Sequence, residues 1–114
     1  MLKKEVLRGK EDFARIYKKG ESIPERYIVL FYMKNGLSYN RRAFLASKKV
    51  GNSVQRNRAR RLMRESCRLA EDSFKEGFDM VFIARNSIND RSFAEVDRSL
   101  RNAVKKGDLL KNKR

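Results

Sequence analysis

Apolar side chains recur along this chain with two different periods, and each change of period marks an element. Over residues 10–19, Phe13, Ile16 and Tyr17 fall at helical spacing, with Glu11 and Asp12 near the start, Lys18 and Lys19 near the end and Gly20 just beyond. That pattern predicts a short amphipathic helix. Ile23 and Pro24 interrupt it, and residues 27–33 follow as a strand-length run of β-branched and aromatic side chains. Asn35 and Gly36 form a turn pair before the apolar run resumes at Ala43, Phe44, Leu45 and Ala46, so the two runs are expected to pair as a hairpin.

Beyond Gly51 the period returns to three and four residues: Ala59, Leu62, Met63, Ser66, Ala70 and Phe74 predict a long helix over residues 53–74, with Gly77 as its exit. Val81, Phe82, Ile83 and Ala84 are nearly continuous and predict a buried strand over 78–85. Ser92 and Glu95 make a capping box for a last helix whose apolar positions are Val96, Leu100, Ala103 and Val104, ending at Gly107. Residues 105–114 read as a basic, flexible tail. The order α-β-β-α-β-α, with room for an extra short strand, predicts a single α+β domain over 1–114, built as a two-layer α/β sandwich.

Charge narrows the function. The 114 residues carry 29 Lys and Arg against 14 Asp and Glu, a formal charge of +15, and a compact domain with that excess repels itself unless a polyanion neutralises it. No apolar run approaches the ~20 residues that span a bilayer, and the first eight residues lack the apolar core of a signal peptide, so a cytoplasmic location without a membrane partner is expected. One cysteine, Cys67, makes no internal disulfide. With no histidine in the chain to activate it, it reads as an apolar filler rather than a nucleophile. Missing histidine also removes the usual general base and the commonest metal ligand. Asp12, Asp72, Asp79, Asp90 and Asp97 are scattered, with no local two-metal motif. No catalytic residue and no metal ligand is therefore assigned.

On a helical wheel of ~100° per residue, Arg56, Arg60, Arg64 and Arg68 drift slowly along one side of the long helix, flanked by Asn57 and Arg61 and opposite Ala59, Leu62, Met63, Ser66 and Ala70. A solvated helix face normally intersperses acids at i+4, but residues 56–64 contain none. Lys48 and Lys49 extend the run upstream, and Gly51 and Asn52 turn the backbone into a helix N-terminus that offers further anion-binding amides. Guanidinium forks suit phosphate oxygens. The expected partner is a nucleic acid, most naturally RNA.

Residues 47–64, Ser-Lys-Lys-Val-Gly-Asn-Ser-Val-Gln-Arg-Asn-Arg-Ala-Arg-Arg-Leu-Met-Arg, closely resemble the RNR signature of the bacterial ribonuclease P protein subunit. Length, basicity, element order and the early Phe-x-x-Ile-Tyr-Lys-x-Gly at residues 13–20 agree with that family. Ser53 stands where alanine is more usual and Arg60 where lysine is common.

The resemblance implies a non-catalytic protein subunit of an endoribonuclease. Its catalytic RNA partner removes the 5′ leader of precursor tRNA; the protein alone is inactive and requires no protein partner. Magnesium is expected in the RNA-based holoenzyme, with no cofactor bound by the protein itself. The implied fold carries the arginine helix on a left-handed βαβ crossover, against the right-handed geometry of about 98% of such connections. Lys48, Lys49, Arg56, Asn57, Arg58, Arg60, Arg61, Arg64 and Arg68 are then the RNA-binding candidates, and Phe13, Tyr17 and Phe31 the walls of a leader-binding cleft. Aromatic faces stack on unpaired bases with little sequence preference. Spacing alone reads Phe13 and Tyr17 as core more often than as stacking residues, and the competing readings of the basic helix are a ribosomal or chaperone protein and a duplex-DNA binder, the latter without an obvious helix-turn-helix pair.

Overall fold

The computed structural model describes residues 3–111. Helix α1 spans Lys10–Lys19, strand β1 Glu21–Pro24, β2 Ile28–Lys34, β3 Arg41–Leu45, helix α2 Ser53–Leu69, β4 Phe78–Ala84 and α3 Phe93–Lys106. The expected order holds, with the extra short strand at β1. Short 3-10 turns lie at Lys3–Glu5, Glu71–Ser73 and Asn86–Ile88. Helix α2 is shorter than its periodicity implies. Ala70 caps it, Glu71 and Asp72 are unfavourable in a last helical turn, and Phe74 leaves the helical path to bury itself in the core at 2% exposure.

The sheet order is β1-β2-β4-β3, with β2 antiparallel to both its neighbours and β3 parallel to β4. The expected hairpin between the second and third strands is therefore not formed. Met80, Val81 and Phe82 are fully buried on alternating faces of β4, so this strand needs neighbours and covering layers on all sides and takes the place between β2 and β3. The 35–40 connection passes around the start of β4. Asn35 Nδ2 donates to Asp79 Oδ1 at 3.0 Å and to Tyr39 O at 3.2 Å. Asn40 Nδ2 donates to Lys75 O at 2.8 Å and its Oδ1 accepts from Phe78 N–H at 2.8 Å. Residues that look like hairpin formers act as pins.

On one sheet face, Ile28, Leu30, Phe44, Met80 and Phe82 pack against Ala59, Met63 and Cys67 of α2 and Val96, Leu100, Ala103 and Val104 of α3. Phe44 and Phe82 stack there with centroids 5.5 Å apart. These helices and the sheet form the two layers expected, with α1 added as cover on the other face, and burial of each large apolar side chain contributes roughly 1.5–3 kcal/mol. The reverse face holds a smaller cluster of Leu7, Ile16, Ala43 and Val81, over which α1 lies. Ile16 is the single residue of α1 that is fully buried.

The basic tail expected over 105–114 is not a tail within the described residues. Lys105 and Lys106 close α3, Leu109 is buried at 1% exposure, and its carbonyl accepts from Lys75 N–H at 2.7 Å. Lys111 N–H donates to Ser73 O at 2.7 Å, and Leu110 bridges Phe74. Burial of one leucine thus fastens this segment to the turn after α2. Residues 112–114 lie outside the described residues.

Candidate nucleic-acid interface

The basic segment begins in a tight turn at the end of β3. Val50 N–H and Gly51 N–H donate to the carbonyls of Ser47 and Lys48 at 3.0 and 3.1 Å, leaving the Lys48 and Lys49 side chains exposed. Asn89 Nδ2 holds the turn from outside by donating to Val50 O at 2.5 Å. Asn52 then caps α2: its Oδ1 accepts from Gln55 N–H, and Gln55 Oε1 accepts from Asn52 N–H, each at 2.9 Å. Gly51 has a φ of +143°, and a Cβ there would lie 1.9 Å from Gln55 Oε1, so the capping box requires glycine at this position.

Arginines of α2 divide by their partners. Arg60 donates to Asn57 Oδ1 at 2.8 Å, an internal bond of the ridge that leaves its charge without a carboxylate. Among the described residues the Arg56 side chain makes only long hydrogen bonds, to Asn52 O at 3.5 Å and Ser53 Oγ at 3.4 Å. Arg64 lies over the Phe44 ring at 5.6 Å, and Arg61 is exposed with no side-chain partner among the described residues. Lys48, Lys49 and Asn57 are likewise exposed. Arg58 and Arg68 differ from them in being held by short bonds to partners outside this set. Arg58 Nη2 donates to Arg91 O at 2.5 Å, tying α2 to the start of α3. Arg68 is held by Glu65 through bonds of 2.9 and 2.7 Å, which raise the guanidinium pKa and hold the Glu65 carboxyl below its usual range.

Across the sheet lies the second candidate surface. Phe13 and Tyr17 project from α1 with ring centroids 6.3 Å apart, and Tyr17 meets Phe31 of β2 edge-on at 5.0 Å. All three are brought together, and none is fully buried: Phe13 and Phe31 are half-buried and Tyr17 is 43% exposed. Burial on its inner side pushes the Tyr17 phenol pKa up, so it stays a neutral donor. Met33, Leu45 and Ile83, partly exposed beside the same cluster, add an apolar floor that sequence reasoning missed. Its signal was present in β4, apolar at consecutive positions and so bound for both faces of the sheet. A groove of about 280 Å³ beside β3, lined by Leu7, Phe13, Leu45 and Arg64 among others, links the cleft to the arginine ridge around the sheet edge.

Sequence reasoning also missed a buried charge cluster behind the cleft. Asp79, fully buried at the start of β4, accepts from Arg41 Nε and Nη2 at 2.8 and 2.7 Å, and this bonding raises the Arg41 pKa. An aspartate inside an apolar strand was the available sign, since buried carboxylates are seldom unpaired. Cys67, placed as a filler, is buried under α2, and burial pushes its thiol pKa up to about 12.

Comparison with known proteins agrees with this geometry. A family model described as Ribonuclease P matches residues 1–108. The ribonuclease P protein component of Alkaliphilus oremlandii is 40% identical over 104 residues, covering 91% of each chain. The solved RNase P protein of Staphylococcus aureus superposes with a TM-score of 0.86 at 30% identity, covering 94% of this chain and 98% of that one. The RNase P protein from Thermotoga maritima gives 0.82 at 33% identity, covering 90% and 96%.

Proposed function

Since the chain belongs to the ribonuclease P protein family and is thus a subunit of a tRNA 5′-processing ribonucleoprotein that works with the RNase P RNA, we propose that its arginine ridge docks on that RNA while the aromatic cleft holds the single-stranded 5′ leader of precursor tRNA. The observation that carries the reading is the acid-free surface of Lys48, Lys49, Arg56, Arg60, Arg61 and Arg64 beside the capped N-terminus of α2. Planar guanidiniums and free helix amides both select phosphate oxygens, and side chains without carboxylate partners are available to them.

Mechanistically, the protein supplies position and charge. Neutralised phosphates let two polyanions approach, and base stacking on Phe13, Tyr17 and Phe31 at ~1–3 kcal/mol per base adds affinity without sequence preference. Hydrolysis is assigned to the RNA, and magnesium to RNA phosphates and the attacking water. The chain has no histidine. Its converging carboxylates, Asp12 and Asp79, are neutralised by Arg15 and Arg41. Work in the cytoplasm is part of the same proposal.

Reconstitution tests it. Precursor tRNA is expected to remain intact with protein alone and to be cut at the leader junction at low magnesium once the RNA subunit is added. Cleavage by the protein alone would overturn the assignment of chemistry.

A further inference from the structure

Helix α1 carries two of the three aromatic walls of the cleft, and Ile16 is its one fully buried side chain; Phe13 and Tyr17 pack towards the sheet from partly exposed positions. One buried side chain fixes a helix's distance from a sheet far better than its rotation. Beside these contacts the helix has an ionic attachment. The Asp79 carboxylate, already bound by Arg41 and by Asn35 Nδ2, lies 3.5 Å from Arg15 Nη2 of α1. Arg15 Nη2 also donates to Asp12 Oδ1 at 2.8 Å, and Arg41 Nη2 lies 3.7 Å from the same Asp12 oxygen. Two carboxylates and two guanidiniums on α1, β3 and β4 thus close a ring of zero net charge.

Geometry makes the ring sensitive to the attitude of α1. Asp79 has no exposed side-chain surface while Arg41, Asp12 and Arg15 are 22%, 26% and 39% exposed, so Asp79 is the fixed centre of the ring and the α1 pair its outermost, adjustable link. Asp12 immediately precedes Phe13, and Arg15 lies two residues before Tyr17. A turn of the helix that breaks the ring moves both cleft walls relative to Phe31. At the other end of α1 a Cβ on Gly20 would lie 2.6 Å from Ile16 O and from Tyr32 O, so that end is clamped against β2 and movement is left to the Asp12 end.

We propose that Asp12 and Arg15, tethered to buried Asp79 and its partner Arg41, are positioning residues that set the opening of the cleft and with it the preference for substrate bearing a single-stranded leader. This rests on the cleft reading above. The test is the reconstituted holoenzyme with the double substitution D12N/R15Q, which removes one charge of each sign and leaves the net charge and the Asp79–Arg41 pair in place. The quantity read is the affinity ratio between precursor tRNA and the same tRNA without leader. That ratio is expected to fall by about threefold to fivefold, the scale of a partly exposed ion pair, with the salt dependence of RNA-subunit binding unchanged. D12N alone, which removes the Asp12 charge and leaves Arg15 facing Asp79, is expected to lower the ratio by less. An undiminished ratio in the double variant, with F31A lowering it, overturns the tether alone. An undiminished ratio in F31A overturns the cleft reading and the tether with it.

Discussion

Arg58 and Arg61 are three positions apart on one helix and indistinguishable by charge, yet they have different work. Arg58 is bonded to Arg91 O, and Arg61 has no partner among the described residues. R58A is expected to lower stability by about 1 kcal/mol in denaturant melts. R61A is expected to leave the melt in place and reduce the salt slope of RNA binding by about 0.7–0.9, one phosphate contact. Cys67 gives a pH prediction. Its folded pKa is raised by burial to about 12 from 9.0, so the stability gained by keeping the thiol neutral is complete below 9.0 and is lost as pH rises towards 12. C67A should flatten that alkaline decline, and in the unmodified protein thiol reagents should label Cys67 only as fast as the fold opens. Periodicity was enough to place Cys67 inside. The partner of Arg58 was illegible, because Arg91 is 33 positions away, whereas Glu65, three positions before Arg68 and just past the acid-free run, was a local signal passed over.

At the scale of elements, α2 depends on its first turn. With Gly51 at φ +143° and no room for a Cβ beside Gln55, G51A is expected to open the capping box, destabilise the protein by roughly 1–2 kcal/mol and speed amide exchange at residues 54–56. Loss of RNA affinity should accompany it, since the same turn presents Lys48 and Lys49. Helix α2 was readable from its three-and-four spacing and α3 from Ser92 and Glu95, because both signals are local. Strand pairing was not readable. Asn35–Gly36 satisfies a hairpin turn, but the Asn35 side chain is spent on Asp79, 44 positions on, and β4 enters between the strands the turn joins. Local turn chemistry names a bend, and long-range burial decides what is bent around.

Over the whole molecule, the two surfaces lie on opposite sides of one four-stranded sheet and meet around the β3 edge. Their contributions should therefore separate. Replacing Arg56, Arg60 and Arg64 together by alanine is expected to reduce the salt slope of RNA-subunit binding by about two to three while leaving the leader-dependent affinity ratio intact. F31A should do the reverse. By itself, the sequence determined an α+β chain with a basic, acid-free helix face that calls for a polyanion partner, because periodicity, charge and side-chain chemistry are properties of neighbours along the chain; the cleft aromatics came from the family resemblance. Only the tertiary structure decided that β4 separates β2 from β3, that residues 105–111 are fastened by Leu109, that Arg58 is spent on Arg91 O, and that a buried aspartate comes within reach of Arg15 on α1. Each of those depends on groups far apart in sequence competing for the same buried volume or the same partner, and packing alone settles that competition.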